Sequence, residues 1–537
     1  MANPDLSSPL ITSDQPEVFI SIDDDDGDDS VLDNQDHRPR GFEFDHLNPV
    51  NPFGFLTDAE PPVQSPTAAD PFRNDTPGVC GLYEAVKIVI CLPIALVRLV
   101  LFGVSLAVGY LATKLALAGW SDRHNPMPRW RCRIMWVTRF CTRCILFSFG
   151  YQWIRRKGKP ARREIAPIIV SNHVSYIEPI FYFYELSPTI VASESHDSLP
   201  IVGTIIRAMQ VIYVNRFSQA SRKDAVDEIK RKASCDSFPR LLLFPEGTTT
   251  NGKAVISFQL GAFIPGYPIQ PLVVRGNISL VMLMFRMFTQ FHNFMEVEYL
   301  PVIYPNDNHK QNAARLSQKT SHAIAASLNV VQTSHSYGDL MLLNKASELK
   351  LENPSNYMVE MAKVESVFHV SNSEAVRYLE TFSSMNPDSR FPYNLEKVYP
   401  FCSGRVALHD FLRVLKLKPC TLSTEIFEFI DVEKVGSINF RQFLFASAHV
   451  STQPLFQQTC ELSFSHCDAD GDGYISIQEL GDALKPTIPN LNKDEIQGMF
   501  MFLDDDKDQR ISKSDFLSCL RRNPLLIAIF SPILATT

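Results

Sequence analysis

The sequence has no cysteine framework. Eleven cysteines are scattered along 537 residues, which excludes a disulfide-stapled secreted scaffold and fits reduced thiols in a cytosol-like compartment. Cys141-x-x-Cys144 lacks the second ligand pair that a zinc site needs. Positive charge is not in excess either: the net charge of −8 argues against general nucleic-acid affinity. The N-terminus has no charged cap followed by an apolar core and a cleavage site, so no secretory leader is expected. No dilysine tail is present. What the chain does have is length: 537 residues exceed what one core organises, so two or more domains are expected.

Charge and hydropathy are unevenly distributed. Asp23 to Asp29 holds six aspartates in seven residues, inside a polar stretch rich in Pro, Asp and Ser, and residues 1–75 read as a disordered acidic tail. Ile88 to Ala118 is apolar on every face, which a globular core helix of this length rarely is. It is long enough for one tilted span, or for two half-depth helices bent near Pro93 with Arg98 reaching for the headgroups, and both readings stay open. Trp130 to Phe149 alternates aromatics with arginines, as an amphipathic helix at a membrane interface does. Residues 82–150 are therefore expected to be membrane-inserted and interfacial helices. Arg129, Arg131, Arg133, Arg139 and Arg143, with the block "RRKGKPARR" (Arg155 to Arg163), place the following region on the cytosolic side.

From Ala166 to about Val302, short apolar runs alternate with helical patterns. "IAPIIVSNH", "MQVIYVNR", "PRLLLFPEG", "GYPIQPLVVR" and "FMEVEYLPVIY" read as buried strands, and "SRKDAVDEIKRKAS" as a surface helix between two of them. That is an α/β layout. A strand ending at Val170 delivers His173 to the carboxyl edge of a sheet, where open α/β folds gather ligands, and Pro179 suits the first turn of a following helix. In a continuous helix His173 and Glu178 would point about 140° apart, so their contact requires a loop-to-helix corner. A carboxylate on one imidazole nitrogen frees the other to take a proton from a hydroxyl. An isolated His-x4-Glu pair is more often structural; here the neighbours weigh on the other side. Pro-Glu-Gly-Thr in "LLLFPEGTTTNGK" is a tight turn whose Gly247 lets backbone amides approach a ligand. Arg216 ends its strand with a fork-shaped cation suited to phosphate.

The order "NHVSYIEP", "VIYVNR", "FPEGTTT", "YPIQPLVV" resembles the four motifs of the glycerolipid acyltransferase superfamily, over roughly Leu82 to Tyr304. With the repeats described below, the chain resembles the plant-type lysophosphatidylethanolamine acyltransferases, relatives of the lysophosphatidylcholine acyltransferases. The resemblance implies acyl transfer from acyl-CoA to the free glycerol hydroxyl of a lysophospholipid. It makes His173 the general base and Glu178 its orienting acid. Arg216, Glu246, Gly247 and Thr248 would hold the phosphate-glycerol part of the acceptor, and Pro271 would shape the wall near the donor. Glu178 stands where the superfamily usually has Asp, so the corner must open by about a methylene. Attachment to endoplasmic reticulum or Golgi membranes, with membrane lipids as partners, is implied too. Alternative readings are acylation of lysophosphatidic acid or glycerol 3-phosphate and, in another class, a calcium-sensing membrane adaptor on an inactive acyltransferase fold. Acyl-chain preference and oligomeric state are not legible.

Beyond Pro354, charged helices repeat at spacings near 36 residues. "DADGDGYISIQE" supplies Asp468, Asp470 and Asp472 at loop positions 1, 3 and 5, Gly473 at 6, Tyr474 at 7 and Glu479 at 12, a Ca²⁺ loop of the EF-hand type. "DDDKDQRISKSD" keeps Asp504, Asp506 and Asp508, with Arg510 at 7, but puts Gln509 at position 6 and the shorter Asp515 at 12, so weaker or Mg²⁺-tolerant binding is expected. "DVEKVGSINFRQ" (Asp431 to Gln442) reads as a pairing loop without metal. A fourth copy ending in "GRVALHDF" reads as interrupted by an insertion, Arg390 to Cys402. Two lobes of two hands are expected, and the apolar tail 526–537 is too short for a span and suited to covering a groove. The expected architecture is thus an α/β acyltransferase domain (151–350) behind N-terminal membrane helices, followed by an all-α EF-hand region (355–525).

Overall fold

The computed structural model describes residues 51–53, 55–56, 70–73, 81–120, 122, 124–216, 218–275, 285–305, 312–387 and 404–531. The insertion expected at Arg390 to Cys402, the segment 276–284 and the chain end 532–537 lie outside the described residues.

Leu82–Leu117 (α1) is one continuous helix of 36 residues running through Pro93, rather than two half-depth helices. Among the described residues it is the one helix long and apolar enough to cross a membrane, and only 17% of its most apolar window is buried by protein. Leu96, Val97, Val100 and Leu111 point outward, so the helix associates with a membrane rather than filling a core. Arg129–Ser148 (α2) packs along it. Small residues let the two backbones close: a Cβ on Gly109 would sit 3.2 Å from that of Cys141, and Thr113 and Thr138 share a hydrogen bond of 3.1 Å.

Arg98 corrects the sequence reading. It does not reach for headgroups; it is buried, and its guanidinium donates to the carbonyls of Met287, Phe288, Gln290 and Phe291. A short helical stretch at 285–288 ends there, and a fork-shaped cation satisfies carbonyls that no helical partner reaches. Three of the arginines on α2 work likewise. Arg131 donates to Ala116 and Ala118 at the end of α1, Arg139 to Tyr184 and Glu185, and Arg143 to Tyr151 and Gln152.

The central layer is a seven-stranded mixed sheet. In chain order the strands are Ile154–Lys157 (β1), Ile168–Ser171 (β2), Thr189–Ser193 (β3), Ile212–Val214 (β4), Leu241–Leu243 (β5), Ala254–Val255 (β6, outside this sheet), Ile269–Arg275 (β7) and Met295–Tyr299 (β8). Spatial order is β1-β8-β7-β2-β5-β3-β4. From β7 to β4 all neighbours run parallel, whereas β8 is antiparallel to β7. Five of the seven were legible as apolar runs. The edge strand β1 was hidden by its charge: Arg155 and Lys157 pair with Glu296, and Arg156 with Glu185. The run β3 was also missed, being mostly half-buried. Ile177–Leu186 (α3) follows β2, and Gln219–Ser234 is the expected surface helix, N-capped by Ser218.

In the C-terminal region the hands pair as two small sheets, Arg405–Ala407 with Ser437–Asn439, and Tyr474–Ile475 with Ile511–Ser512. One continuous apolar core runs under both pairs. Pro524–Phe530 is a 3-10 helix buried along its whole length in that core. Within the stretch read as a disordered tail, Phe53 and Leu56 pack into this same core, and Asp70 accepts a hydrogen bond from Ser355. These short apolar and turn-forming pieces find partners that the surrounding acidic sequence conceals.

Candidate active site

The motif residues collect at one edge because each follows the carboxyl end of a parallel strand. His173 lies two residues past β2, Glu246 three past β5, and Arg216 two past β4. Glu178 sits in the first turn of α3, across the loop-to-helix corner that the spacing demanded. His173 Nδ1 is 2.8 Å from Glu178 Oε2, and the carboxylate is buried while the ring stays partly open. The longer glutamate arm is therefore accommodated.

Ser175 donates to the other oxygen, Glu178 Oε1, at 2.7 Å, and its own Oγ accepts from the Ile177 amide. Phe244 stacks on the imidazole at 4.3 Å. Asn172 clasps β7 through both amide atoms, donating to the Val274 carbonyl and accepting from the Val274 amide. No part of the sequence reading gave Asn172, Ser175 or Phe244 a role, although all three lie within the quoted motifs. Their signal was position next to a chemical residue.

The third motif closes on the first. The Thr250 amide donates to the His173 carbonyl at 2.9 Å. Glu246 is wholly buried, and burial pushes its carboxyl up to about 8, against hydrogen bonds from Thr250 and the His173 backbone that pull the other way. Its Oε2 has no partner among the described residues. Gly247 holds φ at +72°, a conformation other residues rarely adopt. Thr248 is half-buried on the same turn.

Arg216 starts three strand spacings from β2, roughly 14 Å away at about 4.8 Å per spacing, yet its side chain returns. Its Nη1 lies 3.8 Å from where a Cβ on Gly247 would be. Pro271 is different: it is buried inside β7 beside Val170, within the sheet rather than at its edge.

The cation loops are built as their spacing required. The carboxylates of Asp468, Asp470 and Asp472 lie within 4.8 Å of one another, as do those of Asp504, Asp506 and Asp508. Gly473 takes φ +88°, and its amide donates to Asp468 Oδ2. Asp468 Oδ1 is buried without a partner, an orphaned oxygen that a hard cation would satisfy. Glu479 accepts from the amides of Ala469, Asp470 and Ser476. In the second loop Gln509 is forced to φ +67°, and the Asp515 carboxylate is held by Ser512. In the loop Asp431 to Gln442, Asp431 accepts from the Val435 and Gly436 amides. The geometry and the acidic clusters indicate Ca²⁺ binding by this pair of hands.

Comparisons with known proteins cover both regions of the chain. The acyltransferase family model matches residues 154–275, and the EF-hand domain pair matches residues 456–521. The chain is 78% identical to lysophospholipid acyltransferase LPEAT2 of Arabidopsis thaliana over 100% of both chains. It is 28% identical to lysophosphatidylcholine acyltransferase 2 of Homo sapiens, covering 76% of this chain and 75% of that one. Lysophosphatidylcholine acyltransferase 1 of Homo sapiens matches at 27% over 79% of this chain and 81% of its own. With an identity of 78% sustained from end to end, the chain belongs to the lysophospholipid acyltransferases.

Proposed function

We propose that this enzyme transfers a fatty acyl group from acyl-CoA to the free glycerol hydroxyl of lysophosphatidylethanolamine, with lysophosphatidylcholine the next acceptor, at the cytosolic face of the endoplasmic reticulum or Golgi membrane. The observation that carries the chemistry is the 2.8 Å contact between His173 Nδ1 and Glu178 Oε2 at the edge where Glu246 and Gly247 also lie. A carboxylate only accepts, so Nδ1 donates and the Nε2 lone pair is left for the acceptor hydroxyl. As that oxygen attacks the thioester carbonyl, Nε2 takes its proton and Glu178 stabilises the imidazolium. The tetrahedral centre then expels the thiolate, which takes the proton from Nε2 and leaves as CoA. No acyl-enzyme is required, and positioning with charge stabilisation supplies most of the rate.

Arg216 is the phosphate-binding residue in this reading, supported by the amides of the Gly247–Thr248 turn. Glu246 contributes as a neutral acid: burial pushes its carboxyl up to about 8, which keeps a repelling charge away from the acceptor phosphate behind the turn. Pro271 acts only through the strand that it helps to place. In the hands, Asp468, Asp470, Asp472, Glu479 and the Tyr474 carbonyl would hold Ca²⁺. Asp504, Asp506, Asp508, Asp515 and the Arg510 carbonyl would hold it more weakly. Bound Ca²⁺ supplies a hard charge that fixes the loops and takes no part in acyl transfer.

The decisive experiment is His173→Ala assayed by thiol release from acyl-CoA on adding lysophosphatidylethanolamine, in membranes with matched protein. A fall of about a thousandfold is expected from loss of a general base. Near-wild-type turnover would remove His173 from the mechanism, and a panel of lysophospholipid headgroups settles the acceptor.

A further inference from the structure

Arg216 does not lie loose at the site. Its guanidinium carbon is 4.8 Å from the centroid of the Tyr337 ring, and Nη1 lies against Gly247 on the motif turn. Among the described residues no carboxylate pairs with it. The guanidinium thus sits over an aromatic ring, and none of its N–H groups is spent on a carboxylate among the described residues. That arrangement suits a cation meant for an incoming anion: a ring restrains the plane without consuming the donors.

Tyr337 comes from outside both matched stretches, 154–275 and 456–521. It is the first residue of the helix Tyr337–Glu348, whose position is fixed from two sides. On the catalytic side the His335 carbonyl accepts from the Ser257 amide at 2.8 Å. On the C-terminal side the fully buried Asp339 accepts from the amides of Ser336, Val359, Glu360 and Met361, all within 2.9 Å. A Cβ on Gly338 would fall 2.1 Å from Asn372 Oδ1, so the helix start is pressed close against its neighbour. A carboxylate holding four amides leaves little freedom for the residue two positions before it.

We infer that Tyr337 is a positioning residue of the acceptor site: its ring holds the Arg216 guanidinium flat, with the N–H edge presented to the phosphate of the bound lysophospholipid. This rests on the reading of Arg216 as the phosphate-binding residue. The segment linking the catalytic sheet to the EF-hand region then belongs functionally to the site, because it supplies one wall of the phosphate subsite.

The test is steady-state kinetics of the full-length enzyme with lysophosphatidylethanolamine and acyl-CoA, for Tyr337→Leu, Tyr337→Phe, Arg216→Ala and the Tyr337→Leu/Arg216→Ala pair. Leu keeps the apolar bulk but removes the aromatic face; Phe keeps the face and drops only the hydroxyl. Tyr337→Leu is expected to raise the KM for the lysophospholipid about three- to tenfold, the range of a partly desolvated cation–π contact. The KM for acyl-CoA and kcat should stay within about twofold. Tyr337→Phe should restore the acceptor KM, and Tyr337→Leu should add nothing once Arg216 is Ala. If Arg216→Ala raises the acceptor KM but Tyr337→Leu does not, or if the two effects simply add, Tyr337 does not act through Arg216 and the inference is wrong. An acceptor KM unmoved by Arg216→Ala would instead overturn the reading of Arg216 itself. A melting temperature equal to wild type for Tyr337→Leu separates a local effect from misfolding, and a variant that melts early while Phe behaves as wild type is resolved by the same KM ratio measured below its transition.

Discussion

Replacing Glu246 by Gln tests the electrostatics of the site most directly. The carboxyl is fully buried with one oxygen unpartnered, and burial moves it from the ordinary 4.5 to about 8. The folded state therefore holds this proton more tightly than the unfolded chain does. Stability from the protonated form is complete below about pH 4.5 and is lost as pH rises through about 8. Between pH 5 and 7.5 the folded protein keeps most of the proton while the unfolded chain gives it up. At about 1.4 kcal/mol per pH unit, the loss over that window is about 3 kcal/mol. For a domain of 150–250 residues this corresponds to roughly 6–12 °C in melting temperature. Glu246→Gln is uncharged at every pH and should lack that component. The assay is a series of thermal melts of both proteins in the same detergent from pH 5 to 8, with the slopes of Tm against pH compared. Alongside it, the acceptor KM of the wild type should climb above pH 8 relative to that of the variant. Equal slopes in the two proteins would refute a neutral buried Glu246.

Two further perturbations follow from the packing and the loops. Arg98→Leu strands the carbonyls of residues 287–291 and should cost about 3 kcal/mol or more. Arg98→Lys should rescue only part of this, because an ammonium cannot serve the same fan of carbonyls; a Leu variant melting like wild type would mean that the contact is dispensable. In calorimetry with Ca²⁺, Asp468→Ala should remove the tighter site, whereas Asp504→Ala should leave it, with affinities at least about tenfold apart because Gln509 and Asp515 compromise the second loop. Equal affinities in the two single variants would contradict that ranking.

Much of this molecule is legible along the chain because its chemistry is local. The residues after β2, β4 and β5 announced themselves as reactive side chains ending apolar runs, and the first cation loop by oxygen-bearing residues at fixed offsets around Gly473. The contact of His173 with Glu178 could be argued from five residues, since one loop-to-helix corner is a short-range object. Where local pattern and burial diverge, the reading failed. Arg155 to Lys157 reads only as part of a basic block marking the cytosolic side, but it forms an edge strand, because Glu185 and Glu296 neutralise it from other elements. Arg98 looked like a residue seeking headgroups, but carbonyls nearly two hundred positions away hold it.

The sequence by itself determined which polar side chains end the apolar runs and in what order, since periodicity and spacing are properties of neighbouring residues. Only the tertiary structure decided that Arg216, leaving the far strand β4, returns to Gly247, that Glu246 is sealed from water, and that Tyr337 comes to rest on Arg216. Strand order and burial depend on which distant surfaces exclude water together, and no local stretch of residues encodes that.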